Sequence, residues 1–477
     1  MTIPCKPATI AAPLLAALLA FAPLLRATPA PPVPRLLKTN AGWCWFQDER
    51  AIIANGKLIF ATVAGTDRDG SSPGDIQVTS CLITNDGPIP ATTATLHPKY
   101  ERDDHCVPAL LTLPDGRLLA AYASHGNATD RKNNLMRWRI TRRPGDITEW
   151  EPEQTLPVGS GATYSNLLPV IENGARRIYN FHRGIGFNPN YLVSDDDGAT
   201  FTYGGRLLAW RIPKNDPAKT GLDGSRPYLK YALHPPGDMH IVTTDSHPRA
   251  YDNSLYHAFI RDGQIRHTDG RLIAPLSRTQ NSPVAPNSLT RVFAGDADHV
   301  AWPCDMHVDK NGRPRILFTV QRGGAPFRNK QGAPGDGQDH RFYHALWDGS
   351  AWQVNEIAHA GSRLYAGEDD YTGLAALDPQ HPGVVYISTN ADPKTGAPLI
   401  SAADGKRHHE LYRGTTLDDG KTWTWRPLTR DSTADNIRPI VPIWPDAGER
   451  ALVLWLRGTL TTFRDYNLDV VSLLDTP

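Results

Sequence analysis

The stretch that decides the fold runs from Arg102-Asp-Asp-His-Cys-Val-Pro108 through Ala109-Leu-Leu-Thr-Leu113, Pro114-Asp-Gly116 and Arg117 to Ser124-His125. Two apolar segments flank a Pro-Asp-Gly turn, which is typical of a β-hairpin. Residues whose numbers are symmetric about such a turn face each other across the two strands. The turn centres near position 115, so we expect His105 and His125 to lie side by side at the end away from the turn.

The same pattern of a turn followed by an apolar, β-rich strand occurs seven times along the chain. The seven strands begin at Leu58, Leu118, Ile178, His240, Arg315, Val384 and Ala451. Successive starts are 60 to 75 residues apart, and such a period is typical of four-stranded propeller blades. We predict an all-β, single-domain, seven-bladed β-propeller. Two packed β-sandwiches are the alternative, but they would not produce so even a spacing.

Two short motifs support this fold. Ser194–Phe201 and Thr416–Trp423 both match Ser/Thr-x-Asp-x-Gly-x-Thr-aromatic and resemble the Asp-box turn of sialidase-like propellers. We expect the Asp side chain to bind the turn backbone and the aromatic ring to pack between strands. The segment from Gly323 to Asp339 carries no strand signal and is predicted to be an exposed loop.

The N-terminus has the pattern of an export signal. An apolar run over residues 10–25 follows Lys6 and contains prolines, which favours a secretory signal over a membrane span. We predict a signal peptide at 1–30, a linker at 31–41 and the propeller at 42–477, with a secreted or periplasmic location and no membrane attachment.

Charge and cysteine content narrow the class of ligand. Without residues 1–30 the chain loses Lys6 and Arg26, which leaves 48 basic and 50 acidic residues, a net charge of −2. Such a chain is not expected to bind nucleic acid, so an anionic ligand would need a local group of arginines. Four cysteines remain without a Cys-x-x-Cys spacing, and we expect buried thiols rather than disulfides.

The symmetry rule also pairs residues in other hairpins. It pairs Tyr164 with Arg183, Arg226 with His247 and Asn436 with Arg457. Three consecutive blades would then present polar groups on one rim: His105, His125, Tyr164, Arg183, Arg226 and His247. Any one of them is more often structural than functional, but six that converge indicate a ligand site. We expect Asp103 and Asp104 to orient His105 or its loop rather than to act as a glycosidase pair.

These side chains suit one reaction in particular. Removal of the C5 proton of a uronic acid requires a base, and the developing enolate requires an arginine at its carboxylate. The leaving O4 then requires a proton, which a tyrosine can supply. The pattern therefore indicates β-elimination at an anionic sugar.

Several motifs resemble those of the BNR-repeat propeller family, which includes ulvan lyases and rhamnosyl-glucuronate lyases. The similarity spans Gly42 to Leu474 and rests on these segments: Gly42–Arg50, Arg102–His105, Thr163–Asn166, Arg226–Tyr231, His247–Arg249, Asn253–His257, Asn436–Ile440 and Leu454–Gly458. The resemblance implies catalytic roles for His105, His125, Tyr164 and Arg183. It leaves the reaction type open, because relatives also include propellers described as rhamnosidases with a site on the opposite face.

The resemblance also implies a possible structural metal ion, Ca²⁺ or Zn²⁺, since some relatives carry one. Cys304 and His307 are candidate ligands, but two ligands do not make a zinc site. No cofactor is expected for catalysis.

The sequence thus leads to the hypothesis of an exported, monomeric polysaccharide lyase that cleaves rhamnose–uronate linkages and leaves a 4,5-unsaturated uronate. His105 is the base candidate, His125 assists it or neutralises charge, Tyr164 is the acid or shares both roles, and Arg183 binds the carboxylate. The remaining candidates for binding the anionic polysaccharide are Arg226, Lys230, His247, Arg249, Asn436 and Arg457, of which Arg226, His247 and Arg249 would hold sulfate or carboxylate groups.

Two alternatives remain. One is a glycoside hydrolase on the same scaffold, either a rhamnosidase or a sialidase-like enzyme, although no Tyr–Glu pair of the sialidase type stands out. The other is a carbohydrate-binding propeller without catalysis.

Overall fold

The computed structural model describes residues 1–4, 33–126, 134–159, 161–209, 226–323 and 338–476. Residues 34–477 form one compact unit, and its strands make seven separate sheets. This confirms the seven-bladed β-propeller. Most of the predicted signal peptide and most of the Gly323–Asp339 loop lie outside the described residues. No helix among the described residues is long and apolar enough to cross a membrane.

The strands follow the chain blade by blade, except for the first. β1 (Arg35–Lys38) belongs to the last blade. Blade 1 contains β2 (Ala51–Ala54), β3 (Lys57–Val63), β4 (Ile76–Thr84) and β5 (Gly87–His97). Blade 2 contains β6 (Ala109–Thr112), β7 (Leu118–Ala123), β8 (Leu135–Arg143), β9 (Asp146–Trp150) and β10 (Gln154–Pro157). Blade 3 contains β11 (Thr163–Glu172), β12 (Ala175–Arg183), β13 (Pro189–Ser194) and β14 (Thr202–Arg206).

Blade 4 carries two additional strands. It contains β15 (Leu229–His234), β16 (Asp238–Thr244), β17 (Leu255–Arg261), β18 (Gln264–His267), β19 (Leu272–Pro275) and β20 (Thr290–Phe293). Blade 5 contains β21 (His299–Val308), β22 (Pro314–Arg322), β23 (His340–Trp347) and β24 (Trp352–Gly361). Blade 6 contains β25 (Ala375–Leu377), β26 (Val384–Thr389), β27 (Glu410–Thr415) and β28 (Thr424–Pro427). Blade 7 contains β29 (Asp435–Ile440), β30 (Ala451–Thr462), β31 (Asp465–Asp475) and β1.

The helical segments are short 3₁₀ turns between strands. Among the described residues they are Arg68–Gly70, Asp104–Cys106, Ile185–Phe187, Pro248–Ala250, Leu276–Gln280 and Pro286–Ser288. The seven strand starts predicted from the sequence lie within three residues of the observed starts of β3, β7, β12, β16, β22, β26 and β30. Each of these is the second strand of its blade, so the turn-and-strand pattern predicted both the number and the spacing of the blades.

The ring closes where the two ends of the propeller meet. Leu36 of β1 pairs with Val471 of β31 in an antiparallel register. The predicted linker at 31–41 is therefore wrong, because Arg35–Lys38 supply the fourth strand of blade 7. The strand is only four residues long and its partner lies more than 400 residues away, so no local turn signal announces it.

The first strands of the blades surround a shared central cavity. Residues of β2, β6, β11, β15 and β21 line it, and its volume is about 310 Å³. Apolar side chains fill the layers between neighbouring blades, where Phe60, Phe181 and Trp455 are fully buried.

Both Asp boxes have the predicted structure. Asp196 accepts hydrogen bonds from the backbone N and the hydroxyl of Thr200 at 2.9 and 2.7 Å, and Asp418 does the same for Thr422 at 2.9 and 2.7 Å. Phe201 packs against Trp138 with ring centroids 5.2 Å apart. The four cysteines at positions 44, 81, 106 and 304 are free and buried, as predicted.

Packing between blades should dominate stability. Leu456 is fully buried in the layer around blades 1 and 7, whereas Leu417 is fully exposed at the second Asp box. We expect Leu456→Ala to lower the free energy of unfolding by about 2–5 kcal/mol, through lost burial and the cavity it leaves. The matched Leu417→Ala should change it by less than about 0.5 kcal/mol. Urea unfolding of the two variants measures this, and equal midpoints would contradict the packing described here.

Candidate active site

The two histidines predicted to pair are in contact. Ala109 faces Ala121 and Leu111 faces Leu119 in the β6–β7 hairpin, which is the symmetric register expected from the turn. At the open end the rings of His105 and His125 stack with centroids 4.3 Å apart and planes inclined by 8°. The predicted pairing is confirmed.

Asp103 holds both imidazoles. It precedes the 3₁₀ turn Asp104–Cys106 and caps it, since one carboxylate oxygen, Oδ1, accepts a hydrogen bond from the backbone N of His105 at 3.0 Å. The same oxygen lies 2.8 Å from His105 Nδ1, and the other, Oδ2, lies 2.8 Å from His125 Nδ1. A carboxylate only accepts hydrogen bonds, so each ring presents an Nδ1–H to Asp103, and Nε2 of a neutral ring is left as a free lone pair. The prediction that Asp103 orients His105 is confirmed.

The two imidazoles differ in charge because their surroundings differ. His105 Nδ1 also lies 2.7 Å from a carboxylate oxygen of Asp104. Burial favours neutral His105, but the carboxylates of Asp103 and Asp104 outweigh it and raise the pKa of His105 well above its usual value. Burial and the charge of His105 lower the pKa of His125 to about 4. His105 is therefore an imidazolium at neutral pH, and His125 is a neutral imidazole.

The pKa of Asp103 completes this arrangement. Burial alone would raise that pKa, but the charge of His105 and the hydrogen bonds from both rings hold it far below its usual range. A carboxylate that stays charged keeps both Nδ1 protons in place.

Tyr164 and Arg183 also meet, although a bulge alters their register. Thr163, not Tyr164, is the formal strand partner of Arg183, and the pairing shifts between Thr163 and Asn166. Tyr164 takes a positive φ of 63° there. Its ring lies under the Arg183 guanidinium at 4.6 Å and 5.5 Å from the ring of His105. Burial raises the pKa of the Tyr164 phenol well above its usual value, so the phenol keeps its proton.

Sequence reasoning missed Tyr228. Its hydroxyl lies 3.4 Å from Arg183 Nη1, and its ring centroid lies 5.9 Å from that of Tyr164. Burial opposes ionisation, but the charges of Arg183 and Arg226 lower the pKa of Tyr228. A signal was present in the sequence, because Tyr228 precedes the first strand of blade 4 much as Tyr164 begins the first strand of blade 3.

Arg226 and His247 reach this mouth, but not as a strand pair. Leu229 faces Thr243, so the register places Arg226 opposite Ser246, whose hydroxyl accepts a hydrogen bond from the Arg226 backbone N at 3.4 Å. The predicted pairing of Arg226 with His247 is wrong by one residue. The ring of His247 instead meets Tyr228 edge-on at 5.2 Å.

Three predicted binding residues have contacts elsewhere. Lys230 is buried, donates to the carbonyl of Trp45 at 2.7 Å and forms an ion pair with Asp48. Asn436 does face Arg457 as predicted, but its side chain is buried and binds protein groups that include the Trp455 indole at 2.9 Å. Arg457 is exposed, and no contact within the described residues joins it to the histidines.

Arg249 and the two candidate metal ligands, Cys304 and His307, were also predicted to bind ligands. Arg249 forms an ion pair with Glu368. Cys304 and His307 are not part of any group of three potential metal ligands among the described residues. One such group, Asp103 with His105 and His125, is already joined by hydrogen bonds.

Residues from the far end of the chain support the site. The Asp104 carboxylate forms a fully buried ion pair with Arg438, Nη1 to Oδ2 being 2.5 Å. Phe463 packs edge-on against His105 and His125, at 4.9 and 5.5 Å. Arg464 Nε donates to Asp103 Oδ2 at 3.0 Å.

Access to the site is narrow. Beside the tyrosines and Arg183 lies a cavity of about 20 Å³, which is room for about one water molecule. The side chain of His125 is 16% exposed and that of His105 only 3%. A ligand at this mouth therefore meets His125 before His105, and a sugar would have to displace side chains around the cavity.

A sequence profile of the BNR_4 type, described as a BNR repeat-containing family member, matches residues 83–360. This is more than half of the chain. The chain belongs to the BNR repeat-containing family. The comparison with curated protein sequences gives no match.

Several solved structures are similar to this BNR-repeat propeller, and the two ulvan lyase structures share its fold. One is a PL25 ulvan lyase bound to -[GlcA(1-4)Rha3S]-, at 17% identity and a TM-score of 0.61, covering 91% of this chain and 94% of the lyase. The same type of lyase without this ligand gives 17% identity and 0.61, covering 92% and 95%. An α-L-arabinofuranosidase from Fusarium graminearum is 11% identical with a TM-score of 0.40, covering 76% of this chain and 91% of that enzyme.

The buried ion pair below the histidines generates a stability prediction. We expect Asp104→Asn to cost about 3–5 kcal/mol of folding free energy, since it leaves the Arg438 charge buried without a partner. The control is Asp465→Asn, which removes the exposed ion pair of Asp465 with Arg102 and should cost less than about 1 kcal/mol. Thermal unfolding of both variants decides the matter, and a similar small loss for each would show that Asp104 is not buried as described.

Proposed function

We propose that this protein is a polysaccharide lyase that acts at a uronic acid by β-elimination. The observation that carries the proposal is the pair of imidazoles bridged by Asp103 and packed against Tyr164 under the Arg183 guanidinium. The group provides a neutral base, a protonated phenol and a cation, with the ring of Tyr164 packed against both His125 and Arg183. These are the three components that elimination from a uronate requires.

The reaction assigns one step to each group. Arg183 binds the substrate carboxylate and stabilises the negative charge that develops there. The base removes the proton from C5, and the electrons of that C–H bond form the C4–C5 double bond. The C4–O4 bond breaks, and Tyr164 donates its proton to the departing oxygen. The products are an unsaturated uronate at one new end and a free sugar hydroxyl at the other.

The environments of the two histidines favour His125 as the base. His125 is neutral, is the more exposed ring, and its Nδ1–H bond to Asp103 leaves Nε2 as the free lone pair. His105 lies between two carboxylates and is positively charged. The sequence led us to expect His105 as the base. We now assign it to charge neutralisation, because an imidazolium has no lone pair with which to accept the C5 proton.

The substrate class is an anionic polysaccharide with rhamnose–uronate linkages. Arg183 and Arg226 supply positive charge at this mouth, and their guanidinium groups flank the ring of Phe187 at 5.5 and 4.9 Å. The shared fold with an ulvan lyase bound to -[GlcA(1-4)Rha3S]- supports this class. The apolar N-terminal run supports export to the periplasm or the medium.

An ultraviolet assay tests the reaction type. An elimination product contains a double bond conjugated with the carboxylate and absorbs in the ultraviolet, whereas a hydrolysis product does not. We expect absorbance to rise together with new reducing ends on rhamnose–uronate glycans. New reducing ends without absorbance would instead identify a glycoside hydrolase, and neither signal, together with retained glycan binding, would identify a binding module.

Substitutions test the assigned roles. We expect Tyr164→Phe and His125→Ala each to lower kcat by about 10²- to 10⁴-fold, the range usual for loss of a general acid or base. Tyr203→Phe is the matched control. The Tyr203 hydroxyl donates a hydrogen bond to Asn190 within blade 3 and not to a residue of the proposed site. Full activity in Tyr164→Phe would remove Tyr164 from the mechanism.

The pH profile tests which histidine is the base. The pKa of His125 is about 4, so the acid limb of log kcat/KM should be centred near pH 4 rather than near 6.5. The charge of His105 contributes to lowering that pKa, so the limb should move to higher pH in the less active His105→Gln variant. The pKa of His105 is shifted upward. An acid limb above pH 7 in the wild-type protein would therefore indicate that His105 is the base.

A further inference from the structure

An acidic loop lies at the same mouth as the histidines. The segment between β24 and β25 carries Glu368, Asp369 and Asp370. Glu368 forms an ion pair with Arg249, and Asp369 forms one with Arg363. These two ion pairs use the carboxylates of Glu368 and Asp369, and neither includes Asp370.

Asp370 forms no ion pair with an arginine or lysine among the described residues, although the more distant charge of Arg249 favours its ionised form. It is 4% exposed, and neither carboxylate oxygen has a hydrogen-bond partner among the described residues. The nearest cationic candidate is His247, whose Nδ1 lies 3.8 Å away. Burial and the charges of Arg249 and Arg226 lower the pKa of His247 well below its usual value, so that ring is neutral. Burial raises the pKa of Asp370 to about 6, which still leaves it charged at neutral pH.

A buried carboxylate without donors is costly, so the site is built to receive donors from outside the protein. The hydroxyl groups of a sugar are donors of this kind. The Arg249 guanidinium, which the sequence suggested as a ligand for sulfate or carboxylate groups, already forms an ion pair with Glu368. A sulfate placed here would meet the charge of Asp370 instead.

The acidic loop lies a short distance from the reaction centre. His247 contacts Tyr228 at 5.2 Å, and Tyr228 contacts Tyr164 at 5.9 Å between ring centroids. Trp302 is itself buried and packs on His247 at 5.0 Å, which holds the imidazole ring in place. The mouth therefore combines the guanidinium groups of Arg183 and Arg226 with the buried carboxylate of Asp370, whose oxygens accept no hydrogen bond from the described residues.

We propose that His247 and Asp370 form a subsite for an uncharged sugar residue, and that Asp370 excludes a sulfated one. The substrate is then a uronate polysaccharide whose sugar next to the cleaved uronate is not sulfated. This inference rests on the proposed lyase function. It concerns which neighbour of the uronate is accepted, not how the bond is broken.

The test compares two oligosaccharides of alternating glucuronate and rhamnose that differ only in sulfation of the rhamnose. Absorbance of the unsaturated product gives kcat/KM for each, with a chelator present so that no divalent cation bridges sulfate to the carboxylates. We expect the wild-type protein to prefer the unsulfated substrate by about tenfold or more, since a like charge in a binding site is strongly disfavoured. Added salt should narrow the difference.

Variants identify the residue responsible. Asp370→Asn should narrow the preference, because it lowers KM for the sulfated substrate and raises KM for the unsulfated one, which loses a charged acceptor for its hydroxyl groups. Asp446→Asn is the matched control, an exposed acid at the turn after β29, and should keep the wild-type preference. If Asp370→Asn does not fold, the Glu368→Gln variant and the salt series still test whether negative charge in this loop disfavours the sulfated substrate.

Each outcome decides between the two proposals. Product formation with equal or better turnover of the sulfated substrate overturns the subsite and leaves the lyase proposal intact. No product from either substrate overturns the lyase proposal. In that case calorimetric dissociation constants for the same two oligosaccharides still decide the subsite, because tighter binding of the sulfated one would contradict it.

Discussion

The site depends on one carboxylate that binds two imidazoles. Asp103 joins His105 to His125 through their Nδ1 atoms, and because Asp103 is buried, both bonds persist in a medium where an unpaired charge is costly. The bridge fixes the tautomer of each ring and holds the rings in a stack. It also couples their charges, since the proton held on His105 disfavours one on His125. The pKa values of two identical side chains are thereby shifted in opposite directions.

The sequence predicted this pair because tight turns impose symmetry. Where a short turn joins two regular strands, the register follows from the turn alone, as for His105 with His125. Asn436 also faces Arg457, although ten residues connect their strands and the register shifts between Ile437 and Ile440. The rule shifted by one residue at Tyr164, because a bulge places an extra residue in that strand and the apolar pattern carries no signal for it.

Other parts of the site have no local signal. Phe463, Arg464 and Arg438 reach the histidines only because the ring closes, which brings blade 7 beside blades 1 and 2. The strand β1 was not predicted for the same reason, because it pairs with β31 only when the ring closes. The sequence also gives no signal for the different charges of the two histidines, because His105 precedes one ordinary strand and His125 follows another. That difference comes from contacts in three dimensions. Tyr228 is different, because its position before the first strand of blade 4 was visible.

The number of arginines in a sequence is a poor measure of anion binding in such a propeller. Arg183 keeps its charge available because its polar neighbours are the hydroxyls of Tyr164 and Tyr228. Arg249 lies on the same rim, but the Glu368 carboxylate neutralises it. A guanidinium that already forms an ion pair with a protein carboxylate attracts a substrate anion less strongly. The carboxylates carried by the loops therefore help to set the charge pattern around these arginines, and the near-zero net charge of the whole chain does not reveal it.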